Sequence, residues 1–538
     1  MVGSGAALDA ATRGLSTALV EARDIASGTS SRSSKLFHGG LRYLEQFDFG
    51  LVREALHERE LVLTRLAPHL VKPVSFLYPL THYGWERIYV GAGLAMYDAI
   101  GGARSLPRHE HLTRRGARAL APALRNDALV GGIRYYDAEC DDARYTLTLA
   151  RTAASYGAVV RSSTEVVGFV REGGRITGAE LRDTETGATC TVRTGVVINA
   201  TGVWTDDVQR LADSRGEFKV RASKGIHIVV PRDRISSTTG LILRTDVSVL
   251  FVIPWGDYWI IGTTDDDWNH DKAHPAASRV DIDYLLHHVN RVLAVPLTRD
   301  DISGVYAGLR PLLSGEHEET SQLSREHAIS RSPRGMVSVA GGKYTTYRVM
   351  AKDAVDAAVD DLGRHTPSCV TEHVRLLGAD GYHALANQVE SLAADLDLPR
   401  WRMDHLLNRY GAMVYDVLAP ARDDPGLLEP VRGAGLYLMA EVRYAATHEG
   451  ALHLDDVLAR RTRISIETTH RGVESARGVA SLLASVLGWD DPTREREVAT
   501  YFGRVEAERL SQEQTDDANA DAWRLLAPDT RQTITDSR

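Results

Sequence analysis

The chain has 538 residues, of which 43% are apolar and 25% charged, with a formal net charge of -9 and a pI near 6.1. These values exclude a disordered or fibrous chain and argue against a nucleic-acid-binding protein, which would carry a basic face. The length exceeds what one core supports, so two or three domains are expected. Cys140, Cys190 and Cys369 lack CxxC spacing, which points away from a disulfide framework or a metal site and fits a reducing compartment. No run approaches the roughly 18 apolar residues a spanning helix requires, and no signal peptide opens the chain.

In chain order, Ala6 to Arg13 reads as a helix stopped by Gly14, and Ser16 to Val20 as a short buried strand ending at Glu21. This is the second half of a βαβ unit. A nucleotide fold places glycines at the first strand-to-helix turn and an acid about 20 residues on, for the ribose hydroxyls. Gly3 and Gly5 would be the last of those glycines and Glu21 the acid. The expectation is that the chain as written begins partway through this motif, so that it lacks an inner strand, starts upstream in its natural form, and retains little flavin.

Ser27 to Glu45 (SGTSSRSSKLFHGGLRYLE) is a hydroxyl-rich stretch leading into His38-Gly39-Gly40 and Arg42-Tyr43. Hydroxyls and backbone donors suit a pyrophosphate, and a glycine pair allows close approach to a flat ring. Ile88 to Ile100 reads as a buried helix followed by a solvated basic loop, Arg108 to Arg118, with an amphipathic membrane-facing surface as the weaker reading. A helix is expected over Asp142 to Tyr156. Strands follow over Ala158 to Arg161, Val166 to Arg171 and, fully buried, Gly195 to Ala200. From Lys219 to Asp265 a mostly antiparallel sheet is expected, with strands Ile226 to Val230, Val249 to Ile253 and Tyr258 to Ile261. Beyond about residue 365 helical spacing dominates, and Ser511 to Arg538 reads as a fraying tail.

The Ser27–Glu45 segment, with Asn199-Ala200-Thr201-Gly202-Val203-Trp204, Gly262-Thr263-Thr264-Asp265, Gly308-Leu309-Arg310-Pro311-Leu312 and Gly341-Gly342-Lys343-Tyr344-Thr345-Thr346-Tyr347-Arg348, resembles the FAD-dependent glycerol-3-phosphate dehydrogenases from residue 1 to about 365. The resemblance implies a fold of mixed α/β and α+β class. It comprises a Rossmann-like FAD-binding domain of the glutathione-reductase and amino-acid-oxidase type (1–75, 140–215 and 330–365), an antiparallel-sheet substrate domain (76–139 and 216–329) and a helical C-terminal domain (366–538). FAD would be held by Gly3, Gly5, Glu21, Thr29, Ser30, Ser34, Lys35, His38, Gly39, Gly40, Val166, Thr201, Gly202, Gly342, Tyr344 and Thr345.

Arg42, Tyr43 and Arg325 would bind the substrate phosphate, for which rigid guanidinium forks are suited. His227 is expected at the C2 hydroxyl as general base, Arg310 at the developing alkoxide and Lys343 at the flavin or forming ketone. Taken alone, a histidine within IHIVV reads as a satisfied core residue, and the resemblance reverses that. The implied activity is oxidation of glycerol 3-phosphate to dihydroxyacetone phosphate by hydride transfer to FAD, with electrons passed to a membrane quinone on the cytoplasmic face of the cell membrane. It is compatible with a homodimer and involves no nucleic acid. The alternatives are an oxygen-using glycerol-3-phosphate oxidase and an inactive N-truncated flavin-fold protein.

Overall fold

The computed structural model describes residues 1–40, 48–101, 105–213, 217–245, 249–314, 327–527 and 529–531. The helix Val2–Thr12 starts four residues earlier than expected, so Gly3 and Gly5 lie in its first turns. Its small residues let it pack closely. Ala6 and Ala10 meet Ala351 and Val355 of the helix Tyr347–Leu362, and a Cβ on Gly5 would stand 3.0 Å from the Tyr347 ring and 3.1 Å from the Ala351 methyl.

These helices flank a parallel layer in two pieces. Ala18–Val20 pairs with Val159–Arg161, and Val197–Asn199 pairs with Met336–Gly341, whose other edge takes His327–Ser330 antiparallel. The strands around Leu19 and Ile198 were expected to be buried. Both are only half-buried, because a large cavity runs along them. A three-stranded antiparallel sheet, Thr164–Glu172, Arg175–Asp183 and Thr189–Arg193, adjoins this layer.

Among the described residues the larger sheet has ten strands. Near one end of it, Val220–Pro231 pairs antiparallel with Gly304–Leu313 over ten positions and with Tyr258–Gly262. Val71–Leu80 and Gly131–Cys140 extend it, and Gly240–Arg244 runs parallel to Val71–Leu80 as an exception to an otherwise antiparallel plan. Strand side chains alternate between faces. Ile226, Ile228 and Val230 therefore enter one core with Leu241, Val252 and Ile261, whereas Val229 joins a second core with Tyr306 on the opposite face. His227 shares that opposite face.

The remaining third is helical, as expected, with two cores of its own and a short hairpin, Pro430–Val431 and Ala434–Leu438, that composition did not signal. Three expectations are corrected. The helix Trp85–Gly101 buries Val90, Leu94 and Tyr97 but exposes Ile88, Tyr89 and Met96, because only one of its sides meets the protein. The basic segment after it is a strand, Glu110–Thr113, edge-paired to Gly131–Cys140, followed by the helix Arg114–Leu120. The described part of the tail is packed rather than frayed. The helix Asp517–Arg524 docks, and Arg524 and Arg531 are buried against carboxylates.

Charge ties this last third to the first. Asp142 is fully buried and accepts from Lys35 Nζ at 2.7 Å and Arg463 Nη2 at 2.7 Å. Asp24 accepts two bonds from Arg461, at 2.6 and 2.7 Å.

Candidate active site

The opposite-face position of His227 brings its Nε2 to 2.8 Å from Ser34 Oγ, in the hydroxyl-rich segment. The imidazole stacks on Tyr306, with centroids 4.8 Å apart and planes 12° from parallel, and Tyr306 donates to Ser33 O at 3.0 Å. The strand opposite His227 carries Gly262 in register. A Cβ there would fall 2.2 Å from the imidazole Cδ2, so glycine makes room for the ring. Burial first, then Arg310 and Lys35, holds the His227 pKa well below its ordinary value. The ring is thus neutral at pH 7, with Nδ1 buried and without a hydrogen-bond partner among the described residues.

Arg310 lies on the adjacent strand, opposite Ser223. Its Nη2 donates to Thr263 Oγ1 at 3.0 Å and Thr264 O at 3.1 Å, while Nη1 donates to Asp265 Oδ1 at 3.1 Å and Ser223 Oγ at 3.4 Å. A guanidinium held from both ends of its fork is fixed in orientation while keeping its charge. Thr263 and Asp265 fall within the GTTD motif, but no role was expected of them, nor of Ser223 or Tyr306. The only signal available was the motif itself, since their convergence depends on strand register.

A cavity of about 2020 Å³ lies alongside, well above the roughly 300–1,000 Å³ of ordinary ligand sites. Gly3, Glu21, Thr29, Ser30, Val166, Thr201, Gly202, Gly342, Lys343 and Tyr344 line it. So do Ser33 and Pro311, the chain neighbours of Ser34 and Arg310. Glu21 closes its strand with Oε1 accepting from Arg23 N at 3.0 Å, and burial raises its pKa. Thr201 donates to Asn199 Oδ1 at 2.7 Å, and Thr29 to Leu309 O at 2.5 Å.

The other named residues lie behind this wall. His38 N donates to Thr345 Oγ1 and Thr345 Oγ1 donates back to His38 O, both at 3.2 Å, clamping the two glycine-bearing loops together. Gly39 N donates to Tyr97 OH at 2.8 Å, and a Cβ there would fall 2.6 Å from Leu56. Gly40 has φ +78°. Lys35 departs from expectation. Its side chain is fully buried and its ammonium is bound to Asp142 and Ser31 O, so its charge serves the fold rather than the cavity. Gly5 likewise serves helix packing. Arg42, Tyr43 and Arg325 lie outside the described residues.

A helix start, a half-buried acid at a strand end, hydroxyls and backbone lining one large cavity fit a dinucleotide such as FAD. Residues 1–354 match the family described as FAD dependent oxidoreductase, and residues 369–494 match the C-terminal domain of alpha-glycerophosphate oxidase. The glycerol-3-phosphate dehydrogenase of Mycobacterium leprae is 63% identical over 534 residues, covering 99% of this chain and 91% of that protein. The mitochondrial glycerol-3-phosphate dehydrogenase of Homo sapiens is 36% identical over 523 residues, covering 93% and 71%. The structure of glycerol-3-phosphate dehydrogenase from Bacillus halodurans complexed with FAD superposes with a TM-score of 0.76 at 29% identity, covering 94% of this chain and 92% of that one.

Proposed function

We propose, because the chain belongs to the family of FAD-dependent glycerol-3-phosphate dehydrogenases, that it oxidises sn-glycerol 3-phosphate to dihydroxyacetone phosphate and passes the electrons to a membrane quinone. The observation that carries this reading is a neutral, buried imidazole beside an oriented guanidinium at the flank of a dinucleotide-sized cavity. Bound in that cavity, FAD would supply the acceptor for the two electrons and the hydrogen from C2.

The chain's own residues handle the proton and the charge. His227 accepts the C2 hydroxyl proton at Nε2, the atom that Ser34 Oγ now contacts; its neutrality at pH 7 leaves a lone pair for that purpose. Arg310 steadies the alkoxide as it forms, and Lys343, at the cavity wall, polarises the nascent ketone. Arg42, Tyr43 and Arg325 are assigned to the phosphate from their residue types.

A peripheral position on the cytoplasmic face of the membrane is part of this reading. Supporting it, Tyr83 and Ile88 are 78% and 73% exposed, and Trp85 and Tyr89 stand beside them. Aromatic and apolar side chains clustered this way suit an interface. No helix among the described residues is long and apolar enough to cross a membrane.

The test is anaerobic addition of glycerol 3-phosphate to the flavin-loaded protein, followed by mixing with a soluble quinone or with oxygen. Bleaching by glycerol 3-phosphate but not by an amino acid, with fast reoxidation by quinone, is expected. Absence of bleaching would overturn the substrate assignment, and equally fast reoxidation by oxygen would make the protein an oxidase.

A further inference from the structure

A second cavity, of about 70 Å³, opens where the helical third meets the hydroxyl-rich loop and the segment before the helix Arg279–Asn290. That is several times the space one water requires. Six arginines line it, Arg32, Arg460, Arg463, Arg471, Arg504 and Arg524, against two carboxylates, Asp455 and Glu508. Both carboxylates are already shared. Asp455 pairs with Arg504 at 3.0 Å and Arg460 at 2.9 Å, and Glu508 with Arg471 at 2.7 Å and Arg524 at 3.3 Å. Arg460 and Arg463 have further partners away from the cavity, Asp24 and Asp456 for the first and Asp142 for the second.

Arg32 makes no ion pair among the described residues. Its Nη1 donates only to Ala273 O, at 3.1 Å. Burial, with Arg524 and Arg504 adding to it, pulls the Arg32 pKa down to about 9, and burial, with Arg504 and Arg471 outweighing part of what Glu508 returns, pulls Arg524 down to about 10. Guanidiniums gathered out of water with too few carboxylates are costly unless an anion completes the set.

The geometry points to a binding site for a phosphoryl-sized oxyanion, distinct from the flavin and substrate cavity, in which Arg32, Arg471, Arg504 and Arg524 grip a tetrahedral dianion. Planar forks match such an anion through paired N–H donors. Its occupant would tie the loop carrying Ser33 and Ser34 to the helical third, because Arg32 belongs to the first and Arg471, Arg504 and Arg524 to the second.

The test is thermal melting of the holoenzyme, followed by flavin release, in inorganic phosphate or in chloride at matched ionic strength. Phosphate is expected to raise the melting temperature by about 3 °C at a concentration far above its dissociation constant. The increment should vanish in Arg471→Gln/Arg524→Gln and grow in Glu508→Gln, which removes a competing carboxylate. A misfolded variant would not produce the second effect. The same series in glycerol 3-phosphate tells free phosphate from an ester: an increment that depends on Arg471 and Arg524 supports the site with either ligand. An increment of equal size in all three proteins would place the anion in the substrate cavity alone, and no increment over chloride would mean no site; either result overturns the inference.

Discussion

Replacing Arg310 with Ala tests the active-site reading most directly. The guanidinium donates to Asp265, Thr263, Ser223 and Thr264 O, so deletion frees these groups as well as removing the charge. Asp265 keeps its bond from Ser223 Oγ, and the Arg310 and Asp265 side chains are 22% and 14% exposed. Water therefore reaches the gap, and the stability cost should stay near 1–2 kcal/mol. The catalytic cost is different in kind. A donor aimed at a developing oxyanion is worth about 2.7–4 kcal/mol, so kcat/KM should fall by about 10²- to 10³-fold. The assay is the anaerobic half-reaction, with flavin content measured in parallel. A half-reaction within threefold of the unmodified protein, at equal flavin content, would refute the role given to Arg310.

Burial pushes the Glu139 carboxyl up to about 8, with Arg232 opposing, and Oε2 has no partner among the described residues. The folded protein then holds a proton that the unfolded chain releases above about 4.5. Glu139 thus favours the fold below that pH and ceases to do so as pH rises through 8. The melting temperature of Glu139→Gln should gain on the unmodified protein between pH 5 and 8, by up to about 1.4 kcal/mol per pH unit in stability; a constant difference across that range would contradict this. Asp142→Asn leaves Lys35 and Arg463 buried with less counter-charge and should cost about 3–5 kcal/mol, read as a lower denaturation midpoint at unchanged slope. Ser substitutions at Trp85 and Ile88, both exposed, should weaken co-sedimentation with anionic vesicles while leaving turnover with a soluble acceptor intact; unchanged sedimentation would remove this helix from the membrane reading.

Much of this was legible from local pattern. The helix Asp142–Ser155 showed its period, and the strands around Ile228, Val252 and Ile260 their apolar runs. What escaped were features made by register or by distance. Ser223 meets Arg310 only because two strands 87 residues apart pair at that offset. IHIVV could not say which face held the imidazole, since both faces are buried. Lys35 looked like a loop cation because its partner Asp142 lies 107 residues on. Nothing local marked Arg460, Arg461 and Arg463, which are buried against Asp24 and Asp142, more than 300 residues earlier.

That last pairing constrains how the molecule is made. Asp24 leaves the ribosome 437 residues before Arg461, its bidentate partner, an interval of roughly 20–90 s at ordinary elongation rates. Throughout that time the nascent first half holds Asp24 without the Arg460 and Arg461 guanidiniums that meet it in the finished protein. Completion of the nucleotide-binding half therefore waits on the end of translation, and chaperone occupancy should be longest on this enzyme's early segments.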